Sequence, residues 1–326
     1  MTSTLAAKSK PVPPGVYVPV ISLYKATPRQ EIDYDASYKF FQHLVRGGVD
    51  GLVLAGTNAE AALLAPEERR ELIKVAKKAT ADAGRPQVPI VAGISGQSTN
   101  ESIRLAEDAL GAGADFGLLL PPNYWAKAVT KEVILSFYRE VADATALPVI
   151  IYSFPAVCNG IDLNSDTMSE LAQHPNIVGV KLTCGNAGKV TRLSEEYTHK
   201  QFAVYAGSSD WLIPCLAGGG GGCVTGIANI FPKSVAKLYS LWNGGRLEEA
   251  KKLQGLVAQA EKACKEGIAL TKYTAFHFAG PHAGLMNPKT FWPRKPYAPI
   301  GADKAAWGEK VMQHLVEVEN GLPDAS

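Results

Sequence analysis

Short apolar runs rich in β-branched residues recur along the chain, and longer segments with helix-like spacing of apolar positions separate them. We predict strands at eight of these runs: residues 15–22 (GVYVPVIS), 50–56 (DGLVLAG), 88–94 (VPIVAGI), 116–122 (FGLLLPP), 148–154 (PVIIYSF), 177–183 (IVGVKLT), 202–208 (FAVYAGS) and 222–228 (GCVTGIA). Nearly continuous apolar strands that alternate with helices are typical of a parallel sheet covered on both faces. Eight such units predict an α/β fold of the (β/α)8 TIM-barrel class.

The chain continues well beyond the eighth predicted strand. A helix is expected to begin near Pro232, further helices lie between residues 247 and 274, and a last one lies near residues 305–318. This is more than the single helix that closes a barrel. We therefore expect a disordered tail over residues 1–14, the barrel over 15–231, and a closing helix with a C-terminal helical extension over 232–326.

Composition narrows the classes of protein and partner. The chain has 326 residues, 46% hydrophobic and 20% charged, which is typical of a globular protein. Its net charge is +2 and it contains no basic block, so we expect no nucleic-acid partner and no membrane surface. The five cysteines form no CxxC pair, which favours reduced thiols. The polar, Pro-rich N-terminus carries no recognisable targeting signal, and a cytoplasmic location is expected.

Lys181 is the most unusual residue of the predicted strands, because it interrupts the apolar run IVGVKLT. Burial of an ammonium group removes its solvation and favours the uncharged amine, which is a nucleophile. Such an amine can form a Schiff base with a ketone or an aldehyde. The alternative is an ordinary lysine at a strand end whose head group extends into water.

Further candidates follow from the rule that active sites in this fold lie at the carboxyl ends of the strands. Tyr152 ends the fifth strand, so it is expected to share a rim with Lys181, where its phenol could relay protons. Alternatively, its ring simply packs. The turn Gly56-Thr57-Asn58 after the second strand offers backbone amides that could hold a carboxylate. Alternatively, this turn is only a connection.

Metal chemistry is not expected. The six histidines form no spaced pair with a carboxylate at a strand end, and they are scattered over His43, His174, His199, His277, His282 and His314. The glycine run at residues 218–222 lacks the Lys-Ser/Thr of a phosphate-binding loop and precedes a strand. We interpret it mainly as close backbone packing.

Several motifs together resemble the dihydrodipicolinate synthase / N-acetylneuraminate lyase family of class I aldolases, from about residue 15 to residue 299. GTNAEAALLAPEERREL resembles the family signature G-[ST]-x-G-E-x(3)-L-[ST]-x-E-E-R. IIYSFP is similar to its strand-five tyrosine motif and VGVKLT to its Schiff-base lysine motif. The resemblance implies a 2-keto acid substrate, pyruvate as a ligand and no cofactor.

The resemblance also implies roles for individual residues. Lys181 would form the Schiff base, Tyr152 would relay protons, and Thr57 with Asn58 would bind the carboxylate of a pyruvate-type substrate. Tyr124 would reach into a neighbouring subunit's site, in a homotetramer built as a dimer of dimers. Further candidates for substrate binding are Thr183, Ser153, Gly207, Ser208 and Val224.

Departures from the family pattern bear on the substrate. Ala59 stands where the signature has glycine, and residues 156–160 lack the arginine that the synthase branch carries after its strand-five proline. The sequence therefore does not favour a dihydrodipicolinate synthase. Lys181-Leu182-Thr183 resembles the K-x-T form of the branches that cleave sugar acids. In these motifs the chain resembles the fungal 2-keto-3-deoxy-L-galactonate (L-threo-3-deoxy-hexulosonate) aldolases.

We therefore expect a class I aldolase, a carbon–carbon lyase that cleaves a 2-keto-3-deoxy sugar acid. With 2-keto-3-deoxy-L-galactonate, the products would be pyruvate and L-glyceraldehyde, in D-galacturonate catabolism. One alternative is 4-hydroxy-2-oxoglutarate aldolase, which gives pyruvate and glyoxylate. Its substrate has a second carboxylate and would favour a cation that the strand-five loop lacks. A non-catalytic keto-acid sensor and a metal-dependent barrel enzyme are also compatible with the expected fold.

Overall fold

A computed structural model describes residues 9–325 of the chain. Eight parallel strands form a closed barrel in which each strand pairs with the next and β8 pairs with β1. Their bounds are β1 Gly15–Pro19, β2 Gly51–Leu54, β3 Ile90–Gly93, β4 Phe116–Leu119, β5 Val149–Ser153, β6 Ile177–Leu182, β7 Ala203–Ala206 and β8 Gly222–Val224. The predicted (β/α)8 barrel is confirmed.

Helices follow the strands and continue beyond them. The helices that follow the strands are α1 Tyr34–Arg46, α2 Pro66–Asp82, α3 Thr99–Ala112, α4 Lys131–Ala144, α5 Ser165–Ala172, α6 Ala187–Glu196, α7 Leu212–Ala217 and α8 Pro232–Asn243. The later helices are α9 Leu247–Lys265, α10 Ile268–Thr274 with a π-helical turn over Ala275–Ala279, and α11 Ala302–Asn320. Within residues 9–325, no helix combines the length and apolar character needed to cross a bilayer. The division into domains at residue 231 stays a prediction.

Polar side chains define where the helices begin. Asp33, Ser98 and Asn164 each accept a hydrogen bond from a backbone N–H in the first turn of the following helix. These bonds satisfy donors that have no partner within a helix. Helix α2 begins at Pro66, and the Glu68 carboxylate accepts the N–H of Ala65 at 2.9 Å.

The N-terminal end of the barrel is closed by the segment that precedes β1. Val12 is 2% exposed and packs with the side chains inside the barrel. The carbonyl of Pro13 accepts hydrogen bonds from the hydroxyls of Tyr17, at 2.8 Å, and Tyr205, at 2.5 Å. Residues 9–14 of the expected disordered tail therefore differ from that expectation, because they pack against the barrel. Residues 1–8 lie outside the described part.

Strand β6 contains an irregularity that decides where Lys181 points. Val149 pairs with Ile177 and Ile150 with Gly179, so Val178 is one extra residue on β6. Val178 belongs to the cluster inside the barrel, and Lys181 lines the same interior. Residues three apart on a regular strand would face opposite sides, so the bulge turns Lys181 inward.

Gly179 permits this close pairing of β6 with β7. A Cβ atom at position 179 would lie 2.5 Å from the carbonyl oxygen of Ala203, closer than such atoms approach in proteins. Any other residue here would force the two strands apart.

Candidate active site

Lys181 and Tyr152 lie side by side at the carboxyl ends of β6 and β5. Their Cα atoms are register partners, and the Lys181 Nζ lies 4.1 Å from the centroid of the Tyr152 ring. Lys181 is only 4% exposed, so its head group does not extend into bulk water. Its amine has no hydrogen bond or ion pair with any residue in the range 9–325. The site thus contains a largely buried lysine whose amine lies over the ring of Tyr152.

Thr57 brings the turn after β2 to the same place. Its hydroxyl lies 3.3 Å from the Tyr152 hydroxyl, which links the two across the barrel mouth. The turn is closed by the N–H groups of Ala59 and Glu60, which donate to Gly56 and Thr57 at 3.1 and 3.0 Å. Within the described chain, the N–H groups of Thr57 and Asn58 have no acceptor. Adjacent free amides are a means of binding an anion.

Backbone geometry at the end of β2 shapes this turn. Ala55 has a positive φ of 50°, a conformation that is costly for a residue with a side chain. Its carbonyl occupies the space beside Gly93, where a Cβ would lie only 2.0 Å away. The glycine at the end of β3 therefore makes room for the turn that carries Thr57 and Asn58.

Thr183 lies on the same face of the chain as Lys181, two residues further on. Its hydroxyl is buried and has no hydrogen-bond partner within residues 9–325. A Cβ at Gly207 would lie 2.2 Å from this hydroxyl, so glycine at 207 provides the space that Thr183 occupies. Val224 lines the apolar cavity beneath Lys181. A buried hydroxyl without a partner, two residues after Lys181, is suited to bind a substrate hydroxyl.

Two of the expected binding residues are placed differently. Ser153 lies between Tyr152 and Phe154, which both pack inside the barrel, so alternation along the strand directs Ser153 away from Lys181. The Ser208 hydroxyl already donates to Asp210 at 2.6 Å and accepts from the indole of Trp211 at 3.1 Å. Neither serine is brought to Lys181 as a free hydroxyl.

Tyr124 is not part of the cluster around Lys181. It lies in the loop after β4 and is 74% exposed, with its ring 5.3 Å from that of the equally exposed Trp125. The backbone N–H of Tyr124 donates to Gln97, which fixes the start of the loop. A role for Tyr124 in a neighbouring subunit's site stays a prediction.

A buried ion pair behind the Thr57 turn was missed by the sequence reasoning. The carboxylate of Glu60, at the end of this turn, accepts two hydrogen bonds. One comes from the ammonium of Lys272 at 2.7 Å and the other from the backbone N–H of Arg294 at 2.8 Å. The Lys272 side chain is fully buried, and burial lowers its pKa to about 8. The available signal was a lysine inside the apolar helix segment IALTKYTAF.

A second buried carboxylate connects the ends of β7 and β8 to the extension. The carboxylate of Glu261 on α9 accepts hydrogen bonds from the backbone N–H and the hydroxyl of Ser209. It accepts a third from the hydroxyl of Thr225, at 2.7 Å. Burial raises the pKa of Glu261 despite these bonds. Within residues 9–325, no group of three or more histidine, cysteine or acidic side chains is placed to hold a metal ion.

Comparison with known proteins places these features in a family. The model of the dihydrodipicolinate synthetase family matches residues 13–315. A Coccidioides immitis protein, provisionally named mitochondrial 4-hydroxy-2-oxoglutarate aldolase, is 42% identical over 95% of this chain and 98% of its own. The L-threo-3-deoxy-hexylosonate aldolase of Aspergillus niger is 32% identical over 96% of this chain and 98% of its own.

The fold is shared with a solved structure. A dihydrodipicolinate synthase family protein from Coccidioides immitis superposes with a TM-score of 0.89 at 39% identity, covering 96% of this chain and 99% of that one. The family expected from the motifs is therefore confirmed, and the aldolase names of the relatives agree with the expected class of enzyme. The chain belongs to the dihydrodipicolinate synthetase family.

Proposed function

We propose that this protein is a class I aldolase that cleaves a 4-hydroxy-2-oxo acid into pyruvate and an aldehyde. The observation that carries the proposal is the buried, unpaired amine of Lys181 beside the phenol of Tyr152. The uncharged form of a lysine amine can attack a carbonyl carbon, and a phenol can supply and remove protons.

The first half of the reaction forms the Schiff base. The Lys181 nitrogen attacks C2 of the substrate and gives a carbinolamine. Tyr152 donates its phenolic proton to the departing hydroxyl, which leaves as water, and the phenolate remains beside the iminium. The Thr57 hydroxyl, 3.3 Å from the phenol oxygen, can stabilise this phenolate by donating a hydrogen bond.

The second half breaks the carbon–carbon bond. The phenolate of Tyr152 removes the proton of the C4 hydroxyl, the C4 carbonyl forms, and the electrons of the C3–C4 bond pass to the iminium. The aldehyde leaves an enamine, which takes the proton back from Tyr152 at C3. Water then hydrolyses the resulting pyruvate iminium, the proton released in this step returns to the Tyr152 phenolate, and Lys181 is freed. The free amides of Thr57 and Asn58 hold the carboxylate throughout.

For the substrate, we propose a 2-keto-3-deoxy sugar acid, with 2-keto-3-deoxy-L-galactonate giving pyruvate and L-glyceraldehyde in D-galacturonate catabolism. The buried, unpaired hydroxyl of Thr183 supports a substrate that carries hydroxyl groups. The absence of a cation from residues 156–160 of the strand-five loop disfavours a second substrate carboxylate at that point.

The second candidate is 4-hydroxy-2-oxoglutarate, cleaved to pyruvate and glyoxylate. It is favoured by the 42% identity to the Coccidioides immitis protein that carries this activity in its name, against 32% to the sugar-acid aldolase. This substrate would need a positive charge at the distal end of the site. The two candidates differ in whether Thr183 or a cation recognises that end.

The test is a substrate panel with pyruvate release as the readout. We expect faster cleavage of 2-keto-3-deoxy-L-galactonate than of 4-hydroxy-2-oxoglutarate. A Thr183→Val variant should raise the KM for the sugar acid about tenfold, the value of one lost hydrogen bond, and leave that for 4-hydroxy-2-oxoglutarate unchanged. Preference for 4-hydroxy-2-oxoglutarate would establish the second candidate. Failure to cleave either compound, with pyruvate still bound, would favour a keto-acid sensor.

Assembly and compartment are separate proposals. A homotetramer in which Tyr124 enters a neighbouring site accounts for the exposure of Tyr124 and Trp125. Sedimentation of the protein, with a Tyr124→Ala variant beside it, tests this. We retain a cytoplasmic location as a proposal, although the Coccidioides immitis relative is named mitochondrial. Imaging of the tagged full chain with a mitochondrial marker decides between the two.

A further inference from the structure

The C-terminal extension reaches the proposed substrate site through one buried carboxylate. We propose that Lys272 and Arg294 are positioning residues, which act through Glu60 to hold the Thr57–Asn58 turn in the shape that binds a substrate carboxylate. The inference rests on the proposed function, because it takes this turn to be the carboxylate site. It assigns the extension a part in substrate binding.

Glu60 closes the turn with its backbone. Its N–H donates to the carbonyl of Thr57 at 3.0 Å, and it lies two residues after Asn58. Glu60 has φ 57° and ψ 41°, the left-handed conformation that is unfavourable for a residue with a side chain. Such a conformation persists only where surrounding contacts hold it. The contacts of the Glu60 side chain therefore determine the shape of the turn.

Those contacts come from the extension. One carboxylate oxygen of Glu60 accepts a hydrogen bond from the ammonium of Lys272 at 2.7 Å. The other accepts one from the backbone N–H of Arg294 at 2.8 Å. Lys272 lies on α10, and Arg294 lies in the segment between α10 and α11. The Lys272 and Glu60 side chains are 0% and 4% exposed, so water does not replace either partner.

Arg294 is itself fixed to the barrel. Its guanidinium donates to both oxygens of Glu68 on α2, at 2.7 and 2.5 Å, and to the carbonyl of Leu63 at 2.7 Å. Tyr24 completes the cluster, with its ring centroid 4.3 Å from the Lys272 ammonium and 4.9 Å from the Arg294 guanidinium. The turn is thus held from behind by a cluster of charged side chains that are fully or largely buried.

The charge state of this cluster changes within an accessible pH range. Lys272 faces Glu60, Arg294 and the ring of Tyr24, and burial lowers its pKa to about 8 in opposition to the attraction of Glu60. Above this pH, Lys272 loses its charge, and the ion pair becomes a weaker hydrogen bond. The interaction between Lys272 and Glu60 should therefore weaken as the pH rises through about 8.

The experiment measures pyruvate binding by borohydride trapping over a range of pyruvate concentrations. In Lys272→Met we expect the pyruvate concentration that gives half-maximal trapping to rise at least about fivefold. The rate of trapping at saturating pyruvate should stay within about twofold of wild type. Lys233→Met is the matched control, because Lys233 pairs with Asp324 at 2.7 Å on the outside of the barrel. The half-saturating pyruvate concentration of this control should equal that of the wild type.

Two further readouts separate positioning from a purely structural role. The half-saturating concentration should rise above about pH 8 in the wild type and show no such rise in Lys272→Met. The double variant E60Q/K272M removes both charges, so it should be more stable than Lys272→Met. Its half-saturating pyruvate concentration should stay above that of the wild type. Unchanged half-saturation in Lys272→Met, or full recovery of half-saturation in the double variant, would overturn the inference. Absence of any adduct at Lys181 in the wild type would refute the proposed function instead.

Discussion

Two buried lysines should respond in opposite ways to the same substitution. Lys181 is 4% exposed and has no hydrogen bond or ion pair within residues 9–325, whereas Lys272 is fully buried and donates to Glu60 at 2.7 Å. Methionine keeps the length of lysine and removes its polar atom. Replacement of the unpaired lysine should therefore stabilise the fold, and replacement of the paired lysine should destabilise it.

The magnitudes follow from the contacts. A buried polar group without a partner costs about 1–3 kcal/mol. The contact of Lys181 with the Tyr152 ring, at 4.1 Å, recovers about 0.5–2 kcal/mol of that cost. Lys181→Met should therefore gain about 1 kcal/mol of unfolding free energy, or about 1–2 °C in Tm. Lys272→Met leaves Glu60 buried with one partner fewer, which should cost about 3–5 kcal/mol.

The assay is chemical and thermal unfolding of the wild type and both variants, after removal of any bound keto acid. A bound keto acid would stabilise only the proteins that bind it. Its removal therefore lets the unfolding free energies of the wild type and the variants be compared directly. Turnover measured in parallel should be absent in Lys181→Met. A loss of more than about 1 kcal/mol in Lys181→Met would refute the reasoning, because it would mean that the amine stabilises the fold. A neutral Lys272→Met would refute the account of the Glu60 pair.

Three further predictions concern single residues. Tyr152→Phe should keep the fold, because within residues 9–325 its hydroxyl bonds only to Thr57, at 3.3 Å. It should lower kcat about 10²–10⁴-fold in steady-state assays, because the proton relay is lost; wild-type turnover would exclude a proton relay. Gly179→Ala should cost about 1–3 kcal/mol by denaturant unfolding and slow adduct formation, because its Cβ would lie 2.5 Å from the Ala203 oxygen; wild-type stability would contradict the strand-spacing argument. Burial, with His282 and Lys233 nearby, lowers the pKa of His43 from 6.5 to about 4. The unfolded chain binds this proton first, so stability should fall as the pH drops from about 6.5 to 4, and His43→Gln should flatten that slope in urea titrations.

The sequence carried enough information for the fold and for the pair at the centre of the site. Eight apolar runs with helices between them predict a parallel barrel, and the barrel topology then places the ends of β5 and β6 side by side. The motifs identified the family. The inward direction of Lys181 did not follow from alternation along a regular strand, because it depends on the extra residue Val178 in the pairing of β6.

Contacts between distant parts of the chain were not accessible from the sequence. Glu60 and Lys272 are 212 positions apart, and the residues around one give no sign of the other. The packing of Val12 inside the barrel was missed, because a short Pro-rich segment resembles a disordered tail. Ser153 was expected to bind substrate from its position at a strand end, but the alternation of the strand turns it away.

The central claim is that the Lys181 amine forms a covalent bond with a 2-keto acid. Its most direct test is incubation with pyruvate, reduction with borohydride, and mapping of the modified peptide by mass spectrometry. We expect one adduct for each chain, on Lys181, and none in Lys181→Met. A label on Lys272 or any other lysine, or a protein that cleaves substrate and stays unlabelled, would contradict the account.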